Sequence, residues 1–152
     1  MALPFAELQR ALQTELYTAQ EVLHAFQGRA IEAQAKVNFL CEWVPGVEER
    51  AATLDAEFKG KSKPPLFGMP FSVKEHVCVK GCDATTCLAQ FLFKPQEEDS
   101  VAVGLLKAAG AVPMCTTTVP RGMSTYVCSS PVYGTTHNPV HGKRRAASLQ
   151  AF

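Results

Sequence analysis

The sequence lacks the features that mark membrane, secreted and nucleic-acid-binding proteins. No apolar run reaches the roughly 18 residues that a bilayer-spanning helix needs, and residues 1–10 lack the basic start and apolar core of a secretory signal. Fifteen Lys and Arg against fourteen Asp and Glu leave a net charge of +1, which gives no reason to expect nucleic acid or an anionic membrane as a partner. We therefore expect a cytoplasmic, reduced protein whose six cysteines are not a disulfide framework.

In place of those features the chain has the composition of one globular domain. Its length of 152 residues is close to that of a typical domain, and it is 47% hydrophobic and 19% charged. These values argue against intrinsic disorder. The chain contains no internal repeat and no low-complexity tract.

Helical patterns fill residues 1–60, which we predict to be a helical segment. Pro4 suits a first helical turn, and the apolar residues that follow it recur at three- and four-residue spacing: Phe5, Leu8 and Leu12. The pair Pro45-Gly46 breaks the pattern, and a third short helix is predicted over residues 47–58.

The second helix of this segment has the clearest start signal. Thr18 stands three residues before Glu21, which is the spacing of a capping box. Gly28 costs about 1 kcal/mol against Ala inside a helix, and it argues against one straight helix through this run. The apolar spacing predicts the buried face: Val22, Leu23, Phe26, Ala30, Ala33 and Val37.

A polar connector over residues 59–65 separates the helical segment from a stretch with strand character. Residues 71–75 predict a strand, because apolar and polar residues alternate there after the turn residues Gly68 and Pro70. A second strand is predicted over residues 76–79.

A helix and another strand follow further along the chain. Asp99 or Ser100 caps the helix, Gly110 ends it, and residues 111–116 form a short apolar strand. Strand, helix, glycine turn and strand in this order predict a parallel β–α–β unit, so the fold class is α/β. One or two parallel strands cannot bury both faces of a sheet, and the predicted sheet is therefore incomplete.

An ordered series of motifs runs through residues 64–139, with looser similarity over residues 3–58. The motifs are residues 65–75 (PLFGMPFSVKE), 110–113 (GAVP), 118–120 (TVP), 123–126 (MSTY), 129–134 (SSPVYG) and 138–139 (NP). In order and spacing they resemble the opening part of the catalytic core of amidase-signature hydrolases, and most of all the fatty-acid amide hydrolase branch. The resemblance implies a mixed twisted sheet layered with helices, of which this chain supplies the N-terminal helices and the first strands.

The resemblance also implies an activity and two site residues. The parent reaction is hydrolysis of fatty-acid primary amides or N-acylethanolamines to acid and amine, without a metal or an organic cofactor. A buried, neutral Lys takes a proton from a bridging Ser, which deprotonates a second Ser, the nucleophile. Lys74 matches that Lys, and Met123 matches a position that lines the substrate entrance. On the residues alone, Lys74 is a solvated surface charge and Met123 fills a gap in the core.

The chain departs from the family pattern after residues 138–139. The family continues into a Gly-Gly-Ser-Ser-Gly-Gly loop that carries the bridging Ser, whereas residues 140–152 read VHGKRRAASLQAF. Ser129 and Ser130 lie before the Asn-Pro pair, and Ser148 has no Gly-rich loop around it. We therefore expect an inactive, truncated form of a fatty-acid amide hydrolase that retains the Lys and lacks both Ser.

The same pattern predicts how the chain is divided and where it acts. We expect a helical segment over residues 1–60, the start of an amidase-signature domain over residues 61–139, and a divergent basic tail over residues 140–152. The resemblance implies an endomembrane-associated parent enzyme, whose N-terminal anchor has no counterpart in this sequence.

Three alternatives stay open. The chain could be a non-enzymatic fragment that pairs with the full-length enzyme or with chaperones through exposed apolar surface. Four residues within a short stretch could bind zinc, although their spacing does not match paired knuckles: His76, Cys78, Cys82 and Cys87. The basic run over residues 142–145 could be a localisation signal or a nucleic-acid patch, but it is too short to be specific.

Overall fold

The computed structural model describes residues 3–141 and 144–146. Within this part the chain forms four α-helices, three longer strands, a two-stranded hairpin and two 3-10 turns. The helices are α1 (Phe5–Gln13), α2 (Ala19–Val37), α3 (Val47–Glu57) and α4 (Val101–Ala108). The strands are β1 (Leu40–Trp43), β2 (Pro70–Lys74), β3 (Val112–Thr117), β4 (Ser129–Ser130) and β5 (Gly134–Thr135), and the 3-10 turns are Ala89–Phe91 and Arg121–Met123.

The central element is β3, whose six residues are all buried. It pairs in parallel with β2 and antiparallel with β1, so the sheet has the order β1-β3-β2. Because α4 lies between β2 and β3 in the chain, these three elements form the predicted β–α–β unit. The molecule is a mixed α/β fold, as the sequence predicts. Residues 76–79, by contrast, are not a strand; a turn at residues 75–76 follows β2, and the backbone N–H of Val77 donates there to the carbonyl of Lys74 at 2.9 Å.

One strand lies inside the segment that we predicted to be helical. The four residues of β1 are all half-buried, so burial does not alternate along this strand. Pairing with β3 makes them a strand, with Glu42 opposite Thr116. This contact crosses more than seventy residues of chain and is invisible to local periodicity.

The second helix begins where the sequence predicts, but its apolar face is less buried than predicted. Thr18 forms the expected capping box, and α2 runs without a break through Gly28. The predicted face is only partly buried: Phe26 is 42% exposed, and in α1 Phe5 is 58% exposed. Helical spacing identifies an apolar face but not what covers it, and these two rings line a solvent-open groove.

Two apolar clusters hold the domain together. The larger cluster packs α1, α2 and α3 on the sheet and includes Leu12, Leu23, Leu54, Met69 and Val112. The smaller cluster consists of Val44, Val73, Val79, Cys82 and Val103. Because the larger cluster contains residues from both sides of the predicted boundary at residue 60, the helices and the sheet share one core.

The last helix is capped as predicted but is poorly covered. Ser100 accepts a hydrogen bond from the backbone of Val103, and Val103 is the buried residue of α4. Val101 is 80% exposed and Leu105 is 66% exposed, so the helix presents apolar side chains to solvent. In the described part of the chain no helix has the length and apolarity to cross a bilayer.

Candidate active site

Lys74 is the last residue of β2, at the carboxyl end of a parallel strand. It is half-buried, and it lies in register with Thr117 of β3. The apolar residues of β2 pack into the core and leave the lysine where the strand gives way to a turn. Ligands of α/β sheets bind outside the carboxyl ends of strands, which is the position that Lys74 occupies.

Glu75 follows Lys74 and is fully buried. Its backbone N–H donates to the carbonyl of Thr117 at 2.9 Å, which continues the pairing of β2 with β3. Its Oε1 accepts two hydrogen bonds from Thr85, one from the backbone N–H at 2.6 Å and one from the hydroxyl. Its Oε2 has no hydrogen-bond partner among the described residues. The motif contains this Glu, but nothing in the sequence marks its burial.

Thr85 opens a short loop in an unusual backbone conformation. Thr86 and Cys87 have φ values of 48° and 59°, which lie in the left-handed region that residues with a Cβ rarely adopt. The carbonyl of Thr86 accepts a hydrogen bond from the backbone N–H of Gly122 at 2.7 Å. The thiol of Cys87 donates to the carbonyl of Val119 at 3.1 Å. The loop is therefore bonded to the segment that follows β3.

Met123 closes the 3-10 turn Arg121–Met123 in that segment. It has a φ of 55°, and its side chain is 42% exposed. Its backbone N–H donates to the carbonyl of Pro120 at 2.9 Å. Met123 is therefore not a gap-filling core residue, and its assignment to a substrate entrance stays a prediction.

The hydroxyl groups of Ser129 and Ser130 form hydrogen bonds within the β4–β5 hairpin. The hydroxyls of Ser129 and Thr135 lie 2.8 Å apart across the β4–β5 hairpin. The hydroxyl of Ser130 accepts from the backbone N–H of Tyr133 at 3.0 Å, so it closes the turn of that hairpin. Ser148 lies outside the described residues, as does most of the predicted tail over residues 140–152.

The hairpin is anchored on the end of α2 by a buried polar network. Asn38 donates from its amide to the carbonyls of Tyr133 at 2.8 Å and Thr135 at 3.2 Å. The hydroxyl of Thr136 donates to the carbonyl of Asn38 at 2.8 Å and lies 2.6 Å from the hydroxyl of Thr118. These bonds fix residues 129–136 against the sheet end that carries Lys74.

Burial makes three of the cysteines poor candidates for nucleophilic attack. Burial raises the pKa of Cys82 to about 12 and that of Cys115 to about 11. Burial, followed by the charge of Glu75, also raises the pKa of Cys41. A thiol attacks carbonyls as the thiolate, and these shifts oppose its formation. Across residues 3–141 and 144–146 no group of three or more His, Cys, Asp or Glu is placed to hold a metal ion.

A parallel β–α–β unit, with a half-buried lysine at a strand end and a buried glutamate beside it, makes this a mixed α/β domain. The chain belongs to the amidase family, whose model matches residues 21–147. It is 39% identical over 145 residues to fatty acid amide hydrolase 1 of Caenorhabditis elegans, an alignment that covers 94% of this chain and 25% of that protein. It is 33% identical over 144 residues to the vitamin D3 hydroxylase-associated protein of Gallus gallus, covering 95% of this chain and 30% of that one.

Comparison with solved structures supports the same family. A fatty acid amide hydrolase structure superposes with a TM-score of 0.84 at 26% identity, covering 90% of this chain and 25% of that chain. The chain thus spans about a quarter to a third of the length of the relatives it matches.

Proposed function

We propose that this chain forms the lysine-bearing part of an enzyme that hydrolyses fatty-acid amides to a fatty acid and an amine. The observation that carries the proposal is the similarity to fatty acid amide hydrolase 1 of C. elegans over 94% of the chain. Primary amides and N-acylethanolamines are the substrates that we expect. The reaction needs a nucleophile, a base to activate it and a proton donor for the amine.

In this proposal Lys74 is the general base and Met123 lines the entrance to the acyl site. Lys74 stands at a strand end, where a substrate can approach, and packing of Val73 fixes the backbone before it. Met123 presents an exposed apolar side chain on a turn that is hydrogen-bonded to the loop behind Glu75. A flexible thioether suits contact with an alkyl chain.

A chimera tests the role of Lys74 directly. Residues of this chain replace the matching 145 residues of the C. elegans relative, and hydrolysis of a long-chain fatty-acid primary amide is measured. Removing a general base lowers kcat by about 10²- to 10⁴-fold, so we expect a loss of this size in Lys74→Ala. Lys80→Ala, which removes an exposed lysine from the same region, is the matched control and should retain activity. Equal activity of the two variants would contradict the assignment.

We further propose that a polypeptide of these 152 residues is inactive on its own. The sequence contains no Gly-Gly-Ser-Ser-Gly-Gly loop, and the hydroxyls of Ser129 and Ser130 are engaged in the hairpin. Without a serine nucleophile the covalent route is lost. The purified polypeptide should show no amide hydrolysis above background. Hydrolysis that disappears in Lys74→Ala would overturn this part of the proposal while supporting the lysine.

A second candidate function is binding, and the exposed face of α4 favours it. A helix that is apolar on all sides is normally buried, yet Val101 and Leu105 of α4 are exposed. Because the chain spans only a quarter of its relatives' length, we propose that the occupant of this face is the remainder of an amidase domain. A full-length enzyme would supply that remainder, and the polypeptide would bind or inhibit that enzyme.

Co-purification with full-length fatty acid amide hydrolase 1 of C. elegans tests the binding function. We expect capture by the wild-type polypeptide and loss of capture in Leu105→Lys. Ile31→Lys introduces the same charge at an exposed apolar position of α2 and should not affect capture. A polypeptide that binds no full-length enzyme, or binds it equally after Leu105→Lys, would refute this use of α4.

A further inference from the structure

Glu75 is the one charged side chain that is fully buried among the described residues, and the proposed function gives it no role. Burying a carboxylate is costly unless hydrogen bonds replace its lost hydration. Both hydrogen bonds that Glu75 accepts come from Thr85 and end on a single oxygen. A fully buried carboxyl group whose side-chain hydrogen bonds all come from one threonine points to a demand on the position of that threonine.

Thr85 connects Glu75 to the two residues that follow it in the chain, which have left-handed backbone conformations. Its hydroxyl donates to Glu75 and accepts from the backbone N–H of Cys87 at 2.9 Å. Left-handed backbone at a residue other than glycine is strained, and it persists only where the surrounding structure enforces it. Thr86 and Cys87 have this conformation, and they directly follow Thr85, which is hydrogen-bonded both to Glu75 and to the backbone of Cys87.

The strained loop in turn holds the turn that carries Met123. Two bonds make this connection: the N–H of Gly122 to the carbonyl of Thr86 at 2.7 Å, and the thiol of Cys87 to the carbonyl of Val119 at 3.1 Å. Gly122 directly precedes Met123 in the chain. A continuous path of hydrogen bonds therefore joins the residue after Lys74 to the residue before Met123.

We propose that Glu75 is a positioning residue that ties the end of β2, where Lys74 stands, to the turn that presents Met123. Release of the Glu75–Thr85 pair frees the loop at residues 85–87 and the turn Arg121–Met123 together. The roles of the two connected residues rest on the proposed function, whereas the connection itself does not. Lys74, the proposed base, and Met123, the proposed substrate contact, would in this way stay at a fixed distance from each other.

Hydrogen exchange of backbone amides in the native 152-residue chain tests the connection. Thr85→Val removes the hydroxyl with little change in shape, and we expect the amides of Cys87 and Gly122 to exchange at least about tenfold faster, because both depend on the same opening. The amide of Leu12 in α1 should change by less than about twofold. Thr85→Ser, which keeps the hydroxyl, should restore slow exchange at both amides.

The matched control is Thr116→Val. The hydroxyl of Thr116 is equally buried and has no hydrogen-bond partner among the described residues, so its removal leaves the path intact. Faster exchange at Cys87 without any change at Gly122 would overturn the proposal. Acceleration of all amides alike, Leu12 included, would also overturn it, because Thr85 would then support only global stability.

A second variant keeps the test decisive if Thr85→Val fails to fold. Cys87→Ala removes the thiol bond to Val119 together with the contact of the thiol with Ser130, and it should speed exchange at Gly122 by about threefold while Leu12 stays unchanged. An unchanged Gly122 would count against the connection. None of these measurements needs enzymatic activity, so the proposed function and this inference can fail separately.

Discussion

Asp99 is the carboxylate through which three segments of the chain are joined. It accepts a hydrogen bond from the backbone N–H of Lys80 at 2.9 Å, and its Oδ2 lies 2.5 Å from Nζ of Lys107 in α4. Burial on its own would raise the pKa of Asp99, but the hydrogen bonds from Lys107 and Lys80 outweigh it, and the pKa is lowered. The ionised carboxylate therefore stabilises the folded state above the pKa of the unfolded chain, and this gain is lost as the pH falls through the folded pKa.

We predict that Asp99→Asn destabilises the domain near neutral pH and has little effect in acid. A hydrogen bond to a charged group contributes about 1.5 to 3 kcal/mol, and the variant should lose an amount near the lower end because Asp99 keeps some contact with water. Urea unfolding at a series of pH values measures the difference, which should shrink below about pH 4, where the unfolded carboxyl takes up its proton. Glu98→Gln, an exposed neighbour, is the control. A difference that stays constant with pH would contradict this account of Asp99.

At the level of single residues, a sequence motif identifies reactive side chains more readily than it identifies their burial or their hydrogen-bond partners. Lys74 and Met123 could be named because they stand within motifs of fixed spacing. Glu75 stands in the same motif, but its importance depends on burial and on Thr85 ten residues further along. Neither the burial nor the left-handed loop after Thr85 has a signature in the residue types.

Among the elements, α2 has two independent caps at its N-terminus. Thr18 and Glu21 form the local capping box, with bonds of 3.1 Å and 2.9 Å between side chain and backbone. Asp55 of α3 supplies the second cap by accepting from the backbone N–H groups of Ala19 at 2.7 Å and Gln20 at 3.0 Å. One carboxylate thus both satisfies the helix end and docks α3 against α2.

We predict that Asp55→Ala costs more stability than Thr18→Ala. Loss of an N-cap side chain costs about 1 kcal/mol, whereas loss of Asp55 leaves two backbone donors without a charged acceptor and should cost about 2 kcal/mol. Urea unfolding at neutral pH measures both. Glu57→Ala removes an exposed carboxylate from the same helix and should cost less than about 0.5 kcal/mol. If Asp55→Ala behaved like Glu57→Ala, the second cap would contribute nothing.

The two caps also show why some elements could be predicted and others could not. The capping box involves residues three positions apart, so the sequence alone predicted the start of α2 correctly. Asp55 lies more than thirty residues from the N–H groups it caps, and β1 owes its existence to pairing with β3. The parallel unit of β2, α4 and β3 was predicted because its order is encoded locally, in alternation, a serine cap and a glycine stop.

On the scale of the whole molecule, the two sides of the domain are unequally covered. α1, α2 and α3 pack against the sheet and bury the larger cluster. α4 contributes Val103 to the smaller cluster and leaves its remaining apolar side chains in solvent. Within the described residues β2 has β3 on one side and no strand on the other. Uncovered apolar helix surface beside an open strand edge favours association with another chain.

We predict that the 152-residue polypeptide self-associates through α4 as its concentration rises. The double variant Val101→Lys with Leu105→Lys should stay monomeric, because each lysine places a strongly hydrated charge on the apolar face. Both positions are exposed, so the free energy of unfolding should change by less than about 0.5 kcal/mol per substitution. Sedimentation velocity over a concentration series measures association, and urea unfolding measures stability. Ile31→Lys is the control for added charge and should associate like the wild type. The prediction is contradicted if the wild-type polypeptide sediments as a monomer at every concentration and unfolds in a cooperative thermal transition. The exposed apolar side chains of α4 would then not drive association, and the domain would be stable without a partner that covers them.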